Sequence, residues 1–245
     1  MTSRRRGVEP RLAIECLESR CLLAGNVTVS VSASGDLRIK GDSAGNCVEI
    51  TQFDTDADTF VDTTVVSGCV GDDDTTINGG PGPFVTGLIG RDLKIDLKGG
   101  DDSVFIGFDA IGPTTGVLVP RHLKVDTGAG MDFVLVFAKV GGNTTIKTGA
   151  DADGVALAFS EFFGKVDVRT SDGDDFVIAF FSLFHRKFDL EMDGGENDMF
   201  MLAESIFEDS MDADGGRGAS DIADISDSNT FLGSVELDNF ETVIM

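Results

Sequence analysis

The chain has 245 residues, with 43 Asp and Glu against 19 Lys and Arg for a formal net charge of −24, and it has 19 Phe but neither Trp nor Tyr. Such a polyanion repels a nucleic-acid backbone, and without Trp or Tyr it lacks the usual amphipathic platforms for stacking sugars or bases. At 41% hydrophobic it is no disordered acidic tail, and no apolar run approaches the roughly 18 residues of a spanning helix.

The charge is unevenly placed. Residues 1–25 hold five Arg against three Glu, net +2, which leaves −26 on the remaining residues. This shift marks a boundary near Gly25–Asn26 between a basic leader (1–25) and an acidic body. The opening MTSRRRG has the character of an export n-region, but Glu15, Glu18 and Arg20 break the apolar stretch of about 7–15 residues that should follow. A twin-arginine reading of Ser3-Arg4-Arg5 fails for the same reason.

Within the leader, Leu17-Glu18-Ser19-Arg20-Cys21-Leu22-Leu23-Ala24 resembles the LEPR-XLL segment, an N-terminal motif of large surface and secreted proteins of planctomycete-type bacteria. Ser19 stands where Pro or Asp is usual. Members often continue with a strand, a Gly-Asp turn and a strand, matched here by Val27–Val29, Gly35-Asp36 and Leu37–Ile39. The resemblance covers eight residues and implies an exported or cell-surface protein. The competing reading is an amphipathic helix at a cytosolic N-terminus.

Residues 26–92 read as an irregular N-terminal β region. Leu37–Ile50 (LRIKGDSAGNCVEI) is an early copy of the repeat described below, with Asn46 at its Asp position. Residues 51–92 contain Asp54, Asp56, Asp58, Asp72–Asp74 and Gly79-Gly80-Pro81-Gly82-Pro83, the composition of an inserted loop or edge hairpin. Cys16 and Cys21 lie in the leader. Cys47 and Cys69 can pair if the body is exported; the alternative is two free buried thiols. Their spacing has no zinc pattern.

Residues 93–245 carry a repeat of about 22 residues. Five segments align: LKIDLKGGDDSVFI (93–106), LKVDTGAGMDFVLV (123–136), TTIKTGADADGVAL (144–157), VDVRTSDGDDFVIA (166–179) and FDLEMDGGENDMFML (188–202). Their anchoring residues are Asp102, Asp132, Asp153, Asp175 and Asp198. The first interval is longer, and Ile111–Pro120 is expected to absorb the excess as a loop. Each unit has a strand with alternate inward residues (Ile95/Leu97, Val125/Thr127, Ile146/Thr148, Val168/Thr170, Leu190/Met192). A Gly/Asp turn and a second strand follow (Val104/Ile106, Val134/Val136, Val155/Leu157, Val177/Ala179, Phe200/Leu202). This period of two marks half-buried strands. A third apolar corner closes three units at Phe162/Phe163, Leu183/Phe184 and Ile206/Phe207. The near-constant period predicts an all-β, right-handed parallel β-helix (β-solenoid) of about 22-residue coils, against an antiparallel β-sandwich of hairpins. Asp209–Ser228 is expected to be a mobile loop, and Leu232–Met245 the C-terminal cap.

The Gly/Asp turns resemble the nonapeptide repeat of RTX-type calcium-binding proteins, with Gly128, Gly130, Asp132 and Val134 matching four of its positions. That resemblance implies Ca2+ as a cofactor. It is distant, because the family places two nonapeptides back to back and this chain has one turn per repeat. Independently, stacking would align Asp102, Asp132, Asp153, Asp175 and Asp198 as candidate metal ligands. Unit charges about 4.8 Å apart repel by roughly 1 kcal/mol in water and several-fold more near a protein surface, and hard cations relieve this. The alternative is that each carboxylate accepts backbone N–H bonds of its own turn and faces water. His122 and His185 read as parts of a basic edge with Arg121, Arg186 and Lys187, with no nucleophile motif beside them. Phe137, Phe159, Phe180 and Phe181 read as inter-coil packing, with an exposed contact stripe the alternative.

The function expected from these features is a non-enzymatic, extracellular or cell-surface β-solenoid with a structural or adhesive role toward an unidentified surface or matrix partner. Calcium at the turns is a candidate addition, with no nucleic-acid partner and no transmembrane segment. Two other classes compete: a β-helix enzyme acting on polysaccharide, and a cytosolic acidic scaffold.

Overall fold

The computed structural model describes residues 25–55, 61–69, 75–107 and 116–245. The leader residues 1–24, with the motif at Leu17–Ala24, lie outside them, as do Asp56, Asp58 and Asp72–Asp74. All regular structure among the described residues is β. The strands form three sheets of 10, 10 and 6 strands, and one coil of chain visits each sheet in turn. One coil runs through Val166–Arg169 in the first sheet, Phe176–Phe180 in the second and Leu183–Phe184 in the third. It then returns to the first sheet at Phe188–Glu191. Successive coils pair parallel and in phase: Val166 meets Phe188, Val177 meets Phe200, and Phe184 meets Phe207. The chain is a parallel β-solenoid, and the sandwich of antiparallel hairpins is excluded.

The reason is visible in the alternation. All ten residues expected inward on the first strand of each repeat are buried, Thr127, Thr148 and Thr170 among them. Because like positions stack, each inward position becomes a column along the axis. The largest column is aromatic: Phe162, Phe184, Phe207 and Phe231 stack ring on ring at 5.2, 4.6 and 5.3 Å. This matches the spacing of neighbouring strands, so each ring packs on the next without leaving its rotamer.

The early copy is a true coil. Leu37–Lys40 pairs parallel with Leu93–Asp96, and Cys47–Phe53 with Ser103–Ile106. Beyond it the direction changes: Asn26–Val31 runs antiparallel to Leu37–Lys40, Thr63–Gly68 antiparallel to Cys47–Phe53, and Phe84–Gly87 antiparallel to Thr63–Gly68. These hairpins cover the first apolar layer and pair its open edges, as the end of a solenoid requires. The disulfide Cys47–Cys69 ties them to the first coil.

Two expectations need correction. Val117–Val119, inside the segment read as a loop, is a strand of the third sheet. Asp209–Ser228 is not a loop but contains the strands Met211–Asp214 and Ile222–Asp224. Its inward positions include Ala213 and Ala223, too small to stand out against the surrounding Asp and Gly. Leu232–Met245 returns to strand pattern as expected: Val235–Asp238 and Thr242–Ile244 add one more parallel layer to the first and second sheets and lie over the coil before them.

Candidate functional site: a buried carboxylate ladder

The anchoring aspartates do stack, but they point into the core. Period two already requires this, since each lies two residues before an inward Val or Phe of the same strand (Asp153 before Val155, Asp198 before Phe200). All five are buried, Asp153 with 4% of its surface exposed. Each Oδ1 accepts the backbone N–H of the aspartate one coil earlier. Asp102 N–H donates to Asp132, Asp132 to Asp153, Asp153 to Asp175 and Asp175 to Asp198, each at 2.8 Å. The sequence separations are 30, 21, 22 and 23 residues.

The ladder is longer than the repeat alignment. At one end Asn46 N–H donates to Asp102 Oδ1 at 2.6 Å. At the other, Asp198 N–H donates to Asp221 at 2.9 Å and Asp221 N–H to Glu241 Oε2 at 2.8 Å. Asp221 was missed because its repeat is weak, but it holds the same phase, two residues before the buried Ala223. Each turn thus caps a neighbour's backbone donor that would otherwise be buried and unpaired.

The other carboxylate oxygen is left over. Oδ2 of Asp102, Asp132, Asp153, Asp175, Asp198 and Asp221 is buried without a hydrogen-bond partner, as are the hydroxyls of Thr148 and Thr170. Burial pushes Asp102, Asp153 and Asp198 up to about 7. It also raises Asp132 and Asp175. The backbone N–H bonds pull the other way, as do the Thr148 and Thr170 hydroxyls beside Asp153 and Asp175, which fall short of hydrogen-bond geometry. Neighbouring carboxylates add to the upward push.

This geometry suits calcium poorly. Calcium takes six to eight oxygens around one point, whereas the ladder offers one uncommitted oxygen per coil. Among the described residues no group of three or more His, Cys, Asp or Glu side chains is placed to hold a metal ion. Asp101 and Asp174, on the outer side of the turns, instead accept the N–H of Met131 and of Glu196 in the next coil.

Sequence reasoning also missed a second ladder at the corner between the second and third sheets. Ala138 N–H donates to Ser160 Oγ, Ser160 N–H to Ser182 Oγ, Ser182 N–H to Ser205 Oγ and Ser205 N–H to Asn229 Oδ1. Its signal was a serine at fixed phase, two residues before Phe162, Phe184 and Phe207. At the third corner His122 Nδ1 accepts the N–H of Asn143, whose Oδ1 accepts that of Lys165. His185 is held differently, Nδ1 at 2.7 Å from Glu208 and Nε2 at 3.2 Å from Glu161, with Phe163 stacked on its ring at 4.5 Å.

The phenylalanine stripe is a surface feature. Phe159 and Phe181 are 56% and 47% exposed and stack on each other at 5.0 Å, with Phe137 and Phe180 at their edges. Both have left-handed backbones, φ 48° and 50°, an unusual and costly conformation for a bulky residue.

Comparison with protein-family models, curated proteins and solved structures finds no match to this chain. Among the described residues no helix is long and apolar enough to cross a membrane.

Proposed function

We propose that the chain is a non-catalytic β-solenoid of the extracellular space or cell surface, serving as a rigid structural or adhesive element. The observation that carries this reading is the commitment of its repeated polar side chains. At two corners the Asp and Ser that recur once per coil accept backbone N–H groups of a neighbouring coil, and at the third His122 and Asn143 do so. Side chains fixed in this way stiffen the rod and are not poised for chemistry. The Cys47–Cys69 pair supports an oxidising compartment, as does the LEPR-XLL-like leader.

Fractionation of the native cell tests the location: recovery in the cytosol with Cys47 and Cys69 as free thiols would refute it. Calcium loading is tested on the same protein. A cation bound to the folded state raises the unfolding midpoint by mass action; with one uncommitted oxygen per coil, equal midpoints with calcium and with chelator are expected, and a rise with calcium would show a cation site.

A further inference from the structure

The outer faces of the two large sheets differ in chemistry. The first sheet turns charge outward, with Arg38, Lys94, Lys124, Asp167, Asp189 and Asp212 in register along one row that Thr145 alone interrupts. On the second sheet, five consecutive strands contain no charged residue: Ser103–Ile106, Phe133–Val136, Gly154–Ala158, Phe176–Phe180 and Met199–Ala203. Their outward positions are mostly apolar. Phe105, Leu135, Ala156, Ile178 and Met201 form one row in register. Phe133, Gly154, Phe176 and Met199 form another, with Phe133 and Met199 each 37% exposed. Phe159 and Phe181 extend this face at its edge.

The relief of the face is as informative as its composition. Ala156 and Ala158 floor a shallow trough one strand wide, and Ile178 and Phe180, directly in register with them on the next strand, form the adjoining ridge. Consider a two-fold axis parallel to the strands, lying between Gly154–Ala158 and Phe176–Phe180. It sets each copy's Ile178 and Phe180 over the other's Ala156 and Ala158, and the operation is its own inverse, as a closed dimer requires.

We propose that this face is the interface of a homodimer, in which two copies pack their second sheets together with solenoid axes antiparallel. Across this axis the four strands from Phe133–Val136 to Met199–Ala203 overlie one another, Leu135 over Met201, while Phe105 at the rim lies over Asp224. Four strands about 4.8 Å apart and about five residues long give a plan area of roughly 300 Å², within the range of the largest, often functional, apolar patch of a soluble protein. Interdigitated ridges and the flanking rings of Phe159 and Phe181 add to this area, which stays below the roughly 800 Å² per partner of a standard interface and suits a weak, reversible dimer. Charge selects the partner. With −24 on each chain, packing the charge-free strands of the second sheets together keeps the charged first sheets on the far sides of the dimer. A bilayer fits less well, because the face has no Lys or Arg and the chain has no Trp or Tyr to anchor it at a headgroup layer.

The test is sedimentation of the full chain over a concentration series at low and high NaCl. The expected result is a monomer–dimer equilibrium that tightens with salt, because salt screens the repulsion between two acidic chains. Ile178→Glu should weaken it about 100-fold with an unchanged far-UV spectrum, since the side chain lies half-buried on the outer face of the sheet in the monomer. If that variant misfolds, Met201→Glu on the neighbouring strand of the same row supplies the second readout, because it places a charge in the same interface and should weaken the dimer likewise. A wild-type monomer at every concentration and salt would overturn the proposal. So would a dimer indifferent to Ile178→Glu, or a monomer that floats with phosphatidylcholine vesicles.

Discussion

Asp153→Asn isolates what the buried ladder costs. In the folded chain burial holds the Asp153 carboxyl at about 7, against an ordinary value of 3.8. A carboxyl whose pKa is raised on folding binds its proton more tightly in the native state. Its stabilisation is therefore complete below pH 3.8 and is lost as pH rises to about 7. At about 1.4 kcal/mol per unit, the roughly three-unit difference sets an upper bound near 4 kcal/mol of penalty at pH 8. Asparagine removes the charge while keeping an Oδ1 to accept Asp132 N–H, and its amide can donate to the unpartnered Thr148 hydroxyl. The column already holds one asparagine, Asn46, at its head. The expectation is that Asp153→Asn raises stability by about 1–3 kcal/mol at pH 8, by less at pH 5, and leaves it nearly unchanged at pH 3. Asp153→Ala should be less stable than Asp153→Asn at every pH, because Asp132 N–H is then buried and unpaired. Urea unfolding followed by circular dichroism at pH 8 and pH 3 measures all three proteins. If Asp153→Asn destabilises at pH 8 as much as Asp153→Ala does, the carboxylate is ionised and compensated, and burial of the ladder carries no penalty for the substitution to relieve. A bound cation would then be the first alternative to examine.

Other consequences are separately measurable. Phe184→Ala deletes a fully buried ring held between Phe162 and Phe207; it should cost about 3–5 kcal/mol, and a loss below about 1 kcal/mol would mean that the aromatic column is not a main support. Reducing Cys47–Cys69, which closes a separation of 22 residues, should destabilise by about 3 kcal/mol, with amide exchange rising first in Asn26–Val31 and Thr63–Gly68. Glu208 and Glu161 raise the His185 pKa above the ordinary 6.5, so this pair's stabilisation is full below pH 6.5 and fades as pH rises through the folded value. Carbon-13 NMR of the ring should show His185 titrating above 6.5, with Glu208→Gln bringing it down, and an unmoved titration would exclude the pairing.

Strand phase was legible because alternation is written locally: Ile95/Leu97 or Val168/Thr170 needs no knowledge of a partner to be read as inward. The stacking of coils was legible because the same residue types return at one phase. The direction of the aspartates was equally available, since Asp175 and Val177 share parity, but the acidic character of Asp suggested the solvent side. What overrode that preference is accounting of backbone donors. A parallel coil turning a corner leaves an N–H facing inward, and an acceptor from the next coil costs less than leaving it bare. Such a bond joins residues 21 to 30 apart, so no window of a few residues reveals it. The weak coils at Met211–Asp214 and Ile222–Asp224 were hidden for the opposite reason, because small inward residues give alternation little contrast.

Folding requires only the inward half of each strand to be apolar. The outward half is free to be charged, and on the first sheet it is, with Arg169 paired to Asp167 and Glu191, and Lys165 to Asp167 and Asp189. On the second sheet the same freedom is used in the opposite way. The rows from Phe105 to Met201 and from Phe133 to Met199 do nothing for the monomer's core that smaller polar residues would not allow. They add risk as well, since an exposed apolar sheet promotes aggregation. Nor does ease of backbone geometry account for Phe159 and Phe181, because glycine would take their left-handed conformation without strain. In a chain with 43 acidic residues, five neighbouring strands free of charge mark the place where the surface is shaped for contact. The net charge then belongs to the remaining faces, which keep the paired rods soluble and apart.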